Sequence, residues 1–122
     1  MPDPRHLLGQ QGEAMAAAWL TASGWTVLAR RWRTAWGELD LVALDPNGVL
    51  VAVEVKLRRS SRTGEPGEAV DRARLRRLRA ALGQYRAAHE VTRGELRIDL
   101  VAVSRASDGR WRLAHHPAID AW

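Results

Sequence analysis

The amino-acid sequence predicts an α/β fold with helices flanking a mixed central sheet, and three observations indicate this class. An alanine-rich segment comes first. Three short segments that are valine-rich or alternate between apolar and polar residues follow it. A longer helical pattern then separates them from another alternating segment. The predicted order is α-β-β-β-α-β, and 122 residues suit a single domain over residues 1–122.

The first helix and the first two strands are predicted from local pattern. Residues 9–23 are rich in alanine, and Gly24 behind them suits the left-handed position after a helix. Residues 25–32 predict the first strand. Residues 38–44 alternate at their start and then become apolar, which predicts the second strand.

The later elements follow in the same way. A valine-rich third strand is predicted over residues 49–57 and a basic loop over residues 58–67. A long helix is expected over residues 68–89, then an alternating strand over 96–103, and residues 111–114 are a candidate fifth strand. The apolar stripe expected to pack the long helix on the sheet consists of Leu75, Leu78, Leu82 and Tyr85.

Charge and composition limit the kinds of partner and site. The net charge is +5, which favours polyanionic partners, first nucleic acid and then anionic membranes. Of the nineteen basic side chains all but Lys56 are arginine, as a GC-rich coding sequence also produces. Because no cysteine is present, disulfides and thiolate zinc sites are excluded. A metal ion must therefore be held by carboxylate, carbonyl or imidazole groups.

Membrane association has little support in the sequence. No apolar run reaches the length of a membrane span, and the initial stretch MPDPRHLLGQ lacks the apolar core of a signal peptide. The arginine-rich helical pattern also offers no large apolar residues on an exposed face. We therefore expect a cytoplasmic protein that does not bind membranes.

The turn between the second and third strands fixes their register. Pro46 suits the first central position of a type I turn, Asn47 the second, and Gly48 the left-handed position that follows. These residues predict a three-residue hairpin loop that pairs Asp45 with Val49.

Counting outward from this turn sets Asp40 opposite Glu54 and Glu38 opposite Lys56, all on one face. A two-residue loop would instead set Asp40 opposite Val53 and mix polar with apolar faces, so the alternation favours the first register. Directly opposed side chains have Cβ atoms about 5 Å apart. The other face is expected to enter the core through Leu39, Leu41, Val51, Val53 and Val55.

Two opposed acids require a positive partner, because like charges facing each other destabilise a sheet. Magnesium needs only one or two carboxylates, which Asp40 and Glu54 would supply, and the main-chain carbonyl of Val55 is a further candidate ligand. Lys56 would reach the same place as a compact donor whose pKa can move, which arginine cannot offer. Two plainer interpretations stay open. Arginines could neutralise the acids, and Glu38 with Lys56 could form an ordinary cross-strand ion pair.

The spacing D-x13-E-x-K on consecutive strands resembles the catalytic signature of the restriction-endonuclease-like, or PD-(D/E)XK, nuclease superfamily. More narrowly, the chain resembles the bacterial YraN family of presumed endonucleases. The similarity covers residues 7 to about 103 and is carried by the stretches LLGQQGEAMAAAWL, ARRWR, WGELDLVALD, VAVEVKLR and LRIDLVAV.

This resemblance implies a restriction-endonuclease-like core and metal-dependent hydrolysis of DNA phosphodiester bonds. It implies Asp40 and Glu54 as ligands of Mg²⁺ or Mn²⁺ and Lys56 beside the attacking water. The chain is also similar to archaeal Holliday-junction resolvases, in which a glutamate of the first helix, here Glu13, joins the metal site. Glu38 matches the family's glycine–glutamate pair, and we expect it to tune Lys56 or to bind a second ion. Because the resolvases act as dimers on branched DNA, a homodimer and junction substrates are implied as well.

Two departures from the family concern positions outside this set. The family often has lysine near the start of the second helix, where this chain has Arg72 and Arg74. Ile98 replaces an aromatic residue before Asp99. For Asp99, a role in orienting the site and a structural ion pair are both open interpretations.

Arginines supply the candidate DNA-binding surface, since phosphate contacts give affinity without sequence information. A solvated basic face is the alternative for each one. Trp36 is a candidate for stacking on a base or for core packing, and His115 and His116 are expected on the surface. The rival functional class is a nucleic-acid-binding module of the same fold that does not cut. The arginines expected to contact DNA are Arg58, Arg59, Arg62, Arg72, Arg76 and Arg79.

Overall fold

The computed structural model of the chain describes residues 4–58, 71–90 and 94–121. The predicted order α-β-β-β-α-β is confirmed, and the candidate fifth strand is present and longer than expected. Within the described parts, no helix combines the length and apolar character needed to cross a membrane. The elements are α1 (Pro4–Ala22), β1 (Thr26–Thr34), β2 (Gly37–Leu44), β3 (Leu50–Arg58), α2 (Arg72–His89), β4 (Leu96–Arg105), β5 (Trp111–His116) and a short 3-10 turn (Ile119–Ala121).

The five strands form one mixed sheet in the order β1-β2-β3-β4-β5. Strands β1, β2 and β3 are joined by tight turns and pair antiparallel, as do β4 and β5. Only β3 and β4 are parallel, and α2 lies in the connection between them. The predicted mixed sheet is thus confirmed.

The two helices cover opposite faces of this sheet. Ala16 and Leu20 of α1 belong to one fully buried cluster with the inward residues of β2, β3 and β4. The predicted stripe of α2, with Leu78 and Leu82 at its centre, belongs to a second cluster on the other face. Full burial of each such leucine contributes about 2 kcal/mol.

Both helices begin at positions that differ from the prediction. The first helix starts at Pro4 instead of residue 9, because proline fits the first turn, where no amide hydrogen bond is lost. The second helix was expected from residue 68. Asp71 has an extended backbone, however, and its carboxylate accepts the N–H of Arg74 at 2.7 Å. Asp71 is therefore the N-cap, and α2 begins at Arg72.

The hairpin between β2 and β3 has the predicted geometry. The Gly48 N–H donates to the Asp45 carbonyl at 2.9 Å, and the Asp45 N–H donates to the Val49 carbonyl at 3.0 Å. Gly48 has a φ of +83°, a value that disfavours any side chain. The strand pairs run from Leu44–Leu50 through Val42–Ala52 to Leu41–Val53, which confirms the register over this part of the hairpin.

Candidate functional site

The candidate site lies where β2 and β3 separate. Leu41–Val53 is the last residue pair of their ladder. One step further, the N–H of Val55 donates to the side-chain oxygen Oδ2 of Asp40 at 2.9 Å. The Asp40 carboxylate is therefore fixed against the backbone of the neighbouring strand.

The predicted opposition of Glu38 and Lys56 is wrong, since both residues lie beyond the last strand pair. Glu38 is exposed, and its Oε2 accepts a hydrogen bond from Arg33 at 3.3 Å across the β1–β2 turn. The ladder has already ended at Asp40, so no strand pairing sets Glu38 opposite Lys56. The tuning and second-ion roles of Glu38 stay predictions.

One residue expected on the far face is also misplaced. Leu41, Val53 and Val55 pack on the α1 side, as predicted. Leu39, two residues before Leu41, belongs instead to the cluster on the α2 side. The regular alternation of β2 thus fails at Asp40, where its pairing with β3 has ended and only its pairing with β1 continues.

Asp40 forms no ion pair with a basic side chain in the part of the chain that the structure describes. Burial of its carboxyl group and the nearby charge of Glu54 raise its pKa to about 7. The charge of Glu13 acts in the same direction, whereas the hydrogen bond from Val55 and the charge of Arg74 oppose the rise. An ionised Asp40 is therefore costly in the protein alone, and a bound cation would lower that cost.

Only one of the two carboxylate oxygens of Glu54 has a hydrogen-bond partner among the described residues. It is only 3% exposed, and its Oε1 accepts a hydrogen bond from Arg74 at 2.8 Å. Its second oxygen, Oε2, is buried and has no hydrogen-bond partner among the described residues. Neutralisation by arginine, one of the plainer interpretations, thus applies to one oxygen of Glu54 and leaves the other unpaired.

Arg74 is a residue of this site that the sequence prediction missed. It lies in the first turn of α2, twenty residues after its partner Glu54 and beyond the basic loop. One signal was the resemblance, which places a lysine near the start of this helix where the chain has Arg72 and Arg74. Another was Asp71, whose capping role sets where the helix starts and hence which arginine turns toward the sheet.

Lys56 is the positively charged side chain of the site that pairs with no acid among the described residues. It is exposed on β3, two residues after Glu54 and therefore on the same face of the strand. In the described ranges it makes no ion pair with a carboxylate. Its ammonium group is thus available to a group that enters from solvent.

Glu13 of α1 approaches the same region from the other side of the sheet end. Its carboxylate is mostly buried and accepts a hydrogen bond from Arg31 at 2.8 Å. Arg31 has a φ of 53°, a strained value for a non-glycine residue, which follows the irregular start of β1. The charge of Glu13 reaches Asp40, but its carboxylate is paired with Arg31 and not with the metal-ligand pair.

The donor set fits a small divalent ion held by two carboxylates. In residues 4–58, 71–90 and 94–121, no cluster of three or more acidic, histidine or cysteine side chains has the geometry of a metal site. Asp40 and Glu54 remain, with one unpaired buried oxygen and the backbone of Val55 beside them. Mg²⁺ commonly binds through one or two carboxylates and keeps several waters, so two protein ligands suffice. Glu13 as a ligand and the Val55 carbonyl stay predictions.

Some of the predicted DNA-binding arginines line a cleft beside α2. Arg72 and Arg76 border an open cleft of about 360 Å³, together with Arg79 and Asp120. Arg79 already has partners within the protein, because it forms an ion pair with Asp120 and donates to the Leu96 carbonyl at 3.3 Å. Arg58 ends β3, whereas Arg59 and Arg62 lie outside the described residues.

Three other side chains singled out in the sequence are now placed. Trp36 is 55% exposed, so core packing, one of its two interpretations, is wrong. His115, expected on the surface, is partly buried, with Nε2 2.8 Å from Oδ2 of Asp99. Asp99 is fully buried and ion-paired with Arg97 on the α1 face, which supports its structural interpretation.

Comparisons with known proteins agree on one family. Residues 12–103 match the model of "Uncharacterised protein family UPF0102". A UPF0102 protein of Beutenbergia cavernae is 48% identical over 108 residues, which cover 88% of this chain and 91% of that protein. A UPF0102 protein of Symbiobacterium thermophilum is 48% identical over 105 residues (86% and 88%), and one of Anaeromyxobacter dehalogenans is 44% identical over 116 residues (95% and 85%). The chain therefore belongs to the UPF0102 family, also called the YraN family.

Proposed function

We propose that this protein is a divalent-metal-dependent endonuclease with a restriction-endonuclease-like core that hydrolyses DNA phosphodiester bonds. One observation carries the proposal. Partly buried Asp40 lies close to buried Glu54, one oxygen of Glu54 is unpaired among the described residues, and Lys56 stands two residues further on the same strand face. A partly buried acid whose pKa is raised by a neighbouring carboxylate, beside a cation, is typical of sites that work on a bound ligand.

The side chains divide the work of hydrolysis. Asp40 and Glu54, with the Val55 carbonyl, would hold Mg²⁺ or Mn²⁺. The ion when bound supplies a water of lowered pKa and neutralises charge on the phosphate. Lys56 donates hydrogen bonds to the phosphate oxygens as negative charge develops on them, which an ammonium group can do with little geometric demand.

Affinity for the substrate would come from the basic surface. A net charge of +5 attracts a polyanion over several ångströms, and Arg72 and Arg76 offer phosphate contacts along the α2 cleft. The resemblance to the resolvases makes branched DNA the first substrate to test and a homodimer the expected assembly. A DNA substrate also implies a protein that works in the cytoplasm.

A second candidate function is a nucleic-acid-binding module that does not cut. It is favoured by the ion pair of Arg74 with Glu54, which provides one acid of the pair with a cation from the protein itself. Lys56, which pairs with no acid among the described residues, favours cleavage, since a binding module gains nothing from two adjacent acids beneath a DNA backbone. The two functions differ in a single measurable property, strand scission.

Cleavage is tested with purified protein on four-way, forked, nicked and single-stranded DNA, with Mg²⁺, Mn²⁺ or EDTA. We expect metal-dependent scission that falls by about a thousandfold in Lys56→Ala and Asp40→Asn. Asp108→Asn, which alters an exposed acid of the β4–β5 turn 3.7 Å from Arg110, is the matched control and should cut normally. Metal-independent scission, or equal activity in all variants, would identify a contaminant and reject the proposal.

Metal binding is tested separately by thermal unfolding at about pH 8. A ligand that binds only the folded state at a hundred times its Kd stabilises by about 2.7 kcal/mol, so millimolar Mg²⁺ should raise Tm. Asp40→Asn should abolish the rise. If metal raises Tm but no substrate is cut, the non-cleaving module is the better description.

A further inference from the structure

The contact between Arg74 and Glu54 is built differently from a structural ion pair. Arg74 uses one nitrogen to reach one oxygen, at 2.8 Å. Its side chain is 52% exposed, whereas that of Glu54 is 4% exposed. The guanidinium thus comes from solvent to the rim of a buried acid. In the described parts of the chain, Glu54 is its only side-chain hydrogen-bond partner.

A divalent ion would use the same carboxylate, through the unpaired Oε2 beside the oxygen that Arg74 holds. A guanidinium bound at Oε1 and an ion on Glu54 would place two positive charges in contact beside one carboxylate, and at this distance they repel strongly. The arginine is the more easily moved, because its long side chain leaves α2 at a half-exposed position. Glu54 itself is held by burial in β3.

We propose that Arg74 is a displaceable counter-ion of Glu54: it occupies the cation position while metal is absent, and it is released to a DNA phosphate when metal binds. The inference rests on the proposed function of the same site. It makes Arg74 a positioning residue that couples metal binding to DNA binding. In the metal-free protein it holds the carboxylate of Glu54 in place, and in the loaded protein it adds a phosphate contact beside Lys56.

Coupling of this kind has a distinct thermodynamic signature. Before metal binds, Arg74 is ion-paired with Glu54, and its charge therefore contributes little to DNA affinity. After metal binds, the freed guanidinium contributes in full. By reciprocity, loss of Arg74 must favour metal binding in the absence of DNA and weaken DNA binding only in the presence of metal. A purely structural ion pair gives neither effect.

The test compares Arg74→Gln and Arg74→Met with Arg76→Gln. Arg76 lies on the same helix and lines the cleft, but no acid is paired with it in the described residues, so it is the matched control. Mn²⁺ binding is measured by calorimetry at about pH 8.5 without DNA. We expect both Arg74 variants to bind Mn²⁺ roughly threefold to tenfold more tightly than the wild type, because a competing charge is gone. Arg76→Gln should match the wild type.

DNA binding is then measured on a four-way junction, with Ca²⁺ as a non-cleaving ion or with EDTA. The Arg74 variants should lose affinity in Ca²⁺ and keep wild-type affinity in EDTA, whereas Arg76→Gln should lose affinity equally in both. Unchanged or weaker Mn²⁺ binding by the Arg74 variants, or an equal loss of DNA affinity in EDTA, overturns the inference. If the wild type itself binds no Mn²⁺, both the proposed function and the role of Arg74 are rejected. If the wild type binds Mn²⁺ but the Arg74 variants give one of these contrary results, only the role of Arg74 is rejected.

Discussion

Two groups of buried acids lie on opposite faces of the sheet, and they differ in how completely their oxygens are paired. Asp99 accepts hydrogen bonds from Arg97 at 2.8 and 3.1 Å and from the Ala118 N–H at 2.9 Å, and it contacts His115 at 2.8 Å. Asp40 accepts one from a backbone amide. The protein itself supplies partners for the oxygens of the first group, whereas the oxygens of the second group are only partly paired among the described residues.

The pKa values of the two aspartates follow this difference. Burial alone would raise the pKa of Asp99, but the contacts with His115 and Arg97 bring it below its usual value. For Asp40 burial is the largest influence and the charge of Glu54 adds to it, so the pKa rises to about 7. The comparison teaches that burial alone does not distinguish a candidate functional acid from a structural one. The distinguishing feature is whether the protein supplies partners for the carboxylate oxygens.

The largest expected effect on stability comes from removing the charge of Asp99 and the ion pair that it forms with Arg97. Asp99→Asn removes a fully buried charge and leaves Arg97 with only Asp45 for a partner. We expect the free energy of unfolding to fall by about 3 kcal/mol, as for other broken buried pairs. Chemical denaturation measures this. Asp108→Asn, an exposed acid 3.7 Å from Arg110, should change it by less than about 0.5 kcal/mol. Equal losses in the two variants would show that the Asp99 group stabilises nothing.

The next effect is a pH dependence specific to Asp40. Its pKa lies at 3.8 in a model compound and at about 7 in the folded protein, so the folded state binds the proton more tightly. Its stabilising contribution is therefore full below about pH 4 and is lost as pH rises through about 7. From about pH 5 to about pH 8 without metal, wild type should lose about 2 kcal/mol relative to Asp40→Asn. Parallel stability profiles of the two proteins would contradict the raised pKa.

The smallest effect separates two arginines of the α2 cleft. Arg79→Ala breaks the ion pair with Asp120 that ties the 3-10 turn to the helix, and should cost about 1 kcal/mol of unfolding free energy. Arg76→Ala should cost little stability but weaken DNA binding and flatten its salt dependence. If Arg79→Ala reduced DNA affinity more than Arg76→Ala did, the assignment of the two roles would be reversed.

Local features of the structure were predictable, because the chain nearby determines them. The turn at Pro46, Asn47 and Gly48 fixes a three-residue loop, and the loop fixes which residues of β2 and β3 face each other. The neighbourhood of Asp40 and Glu54 follows from that register alone. The same argument failed two residues beyond the ladder with β3, at Leu39, where β2 is paired only with β1.

Contacts between distant segments were not predictable. Arg74 reaches Glu54 because α2 docks at a particular height on the sheet, and His115 is partly buried because β5 pairs with β4 beside Asp99. Neither follows from spacing. Both depend on how side chains pack once the elements meet, which a period of two or of 3.6 residues does not encode.

The order of the strands across the sheet is also their order along the chain, and this bears on how the molecule assembles. Each strand can be added to the edge that its predecessor has just formed, and only the step to β4 requires a long connection to close. The first three strands can pair before α2 is in place. At that stage the acids of the meander lack the guanidinium of Arg74, so docking of the second helix both completes the core and first neutralises the site.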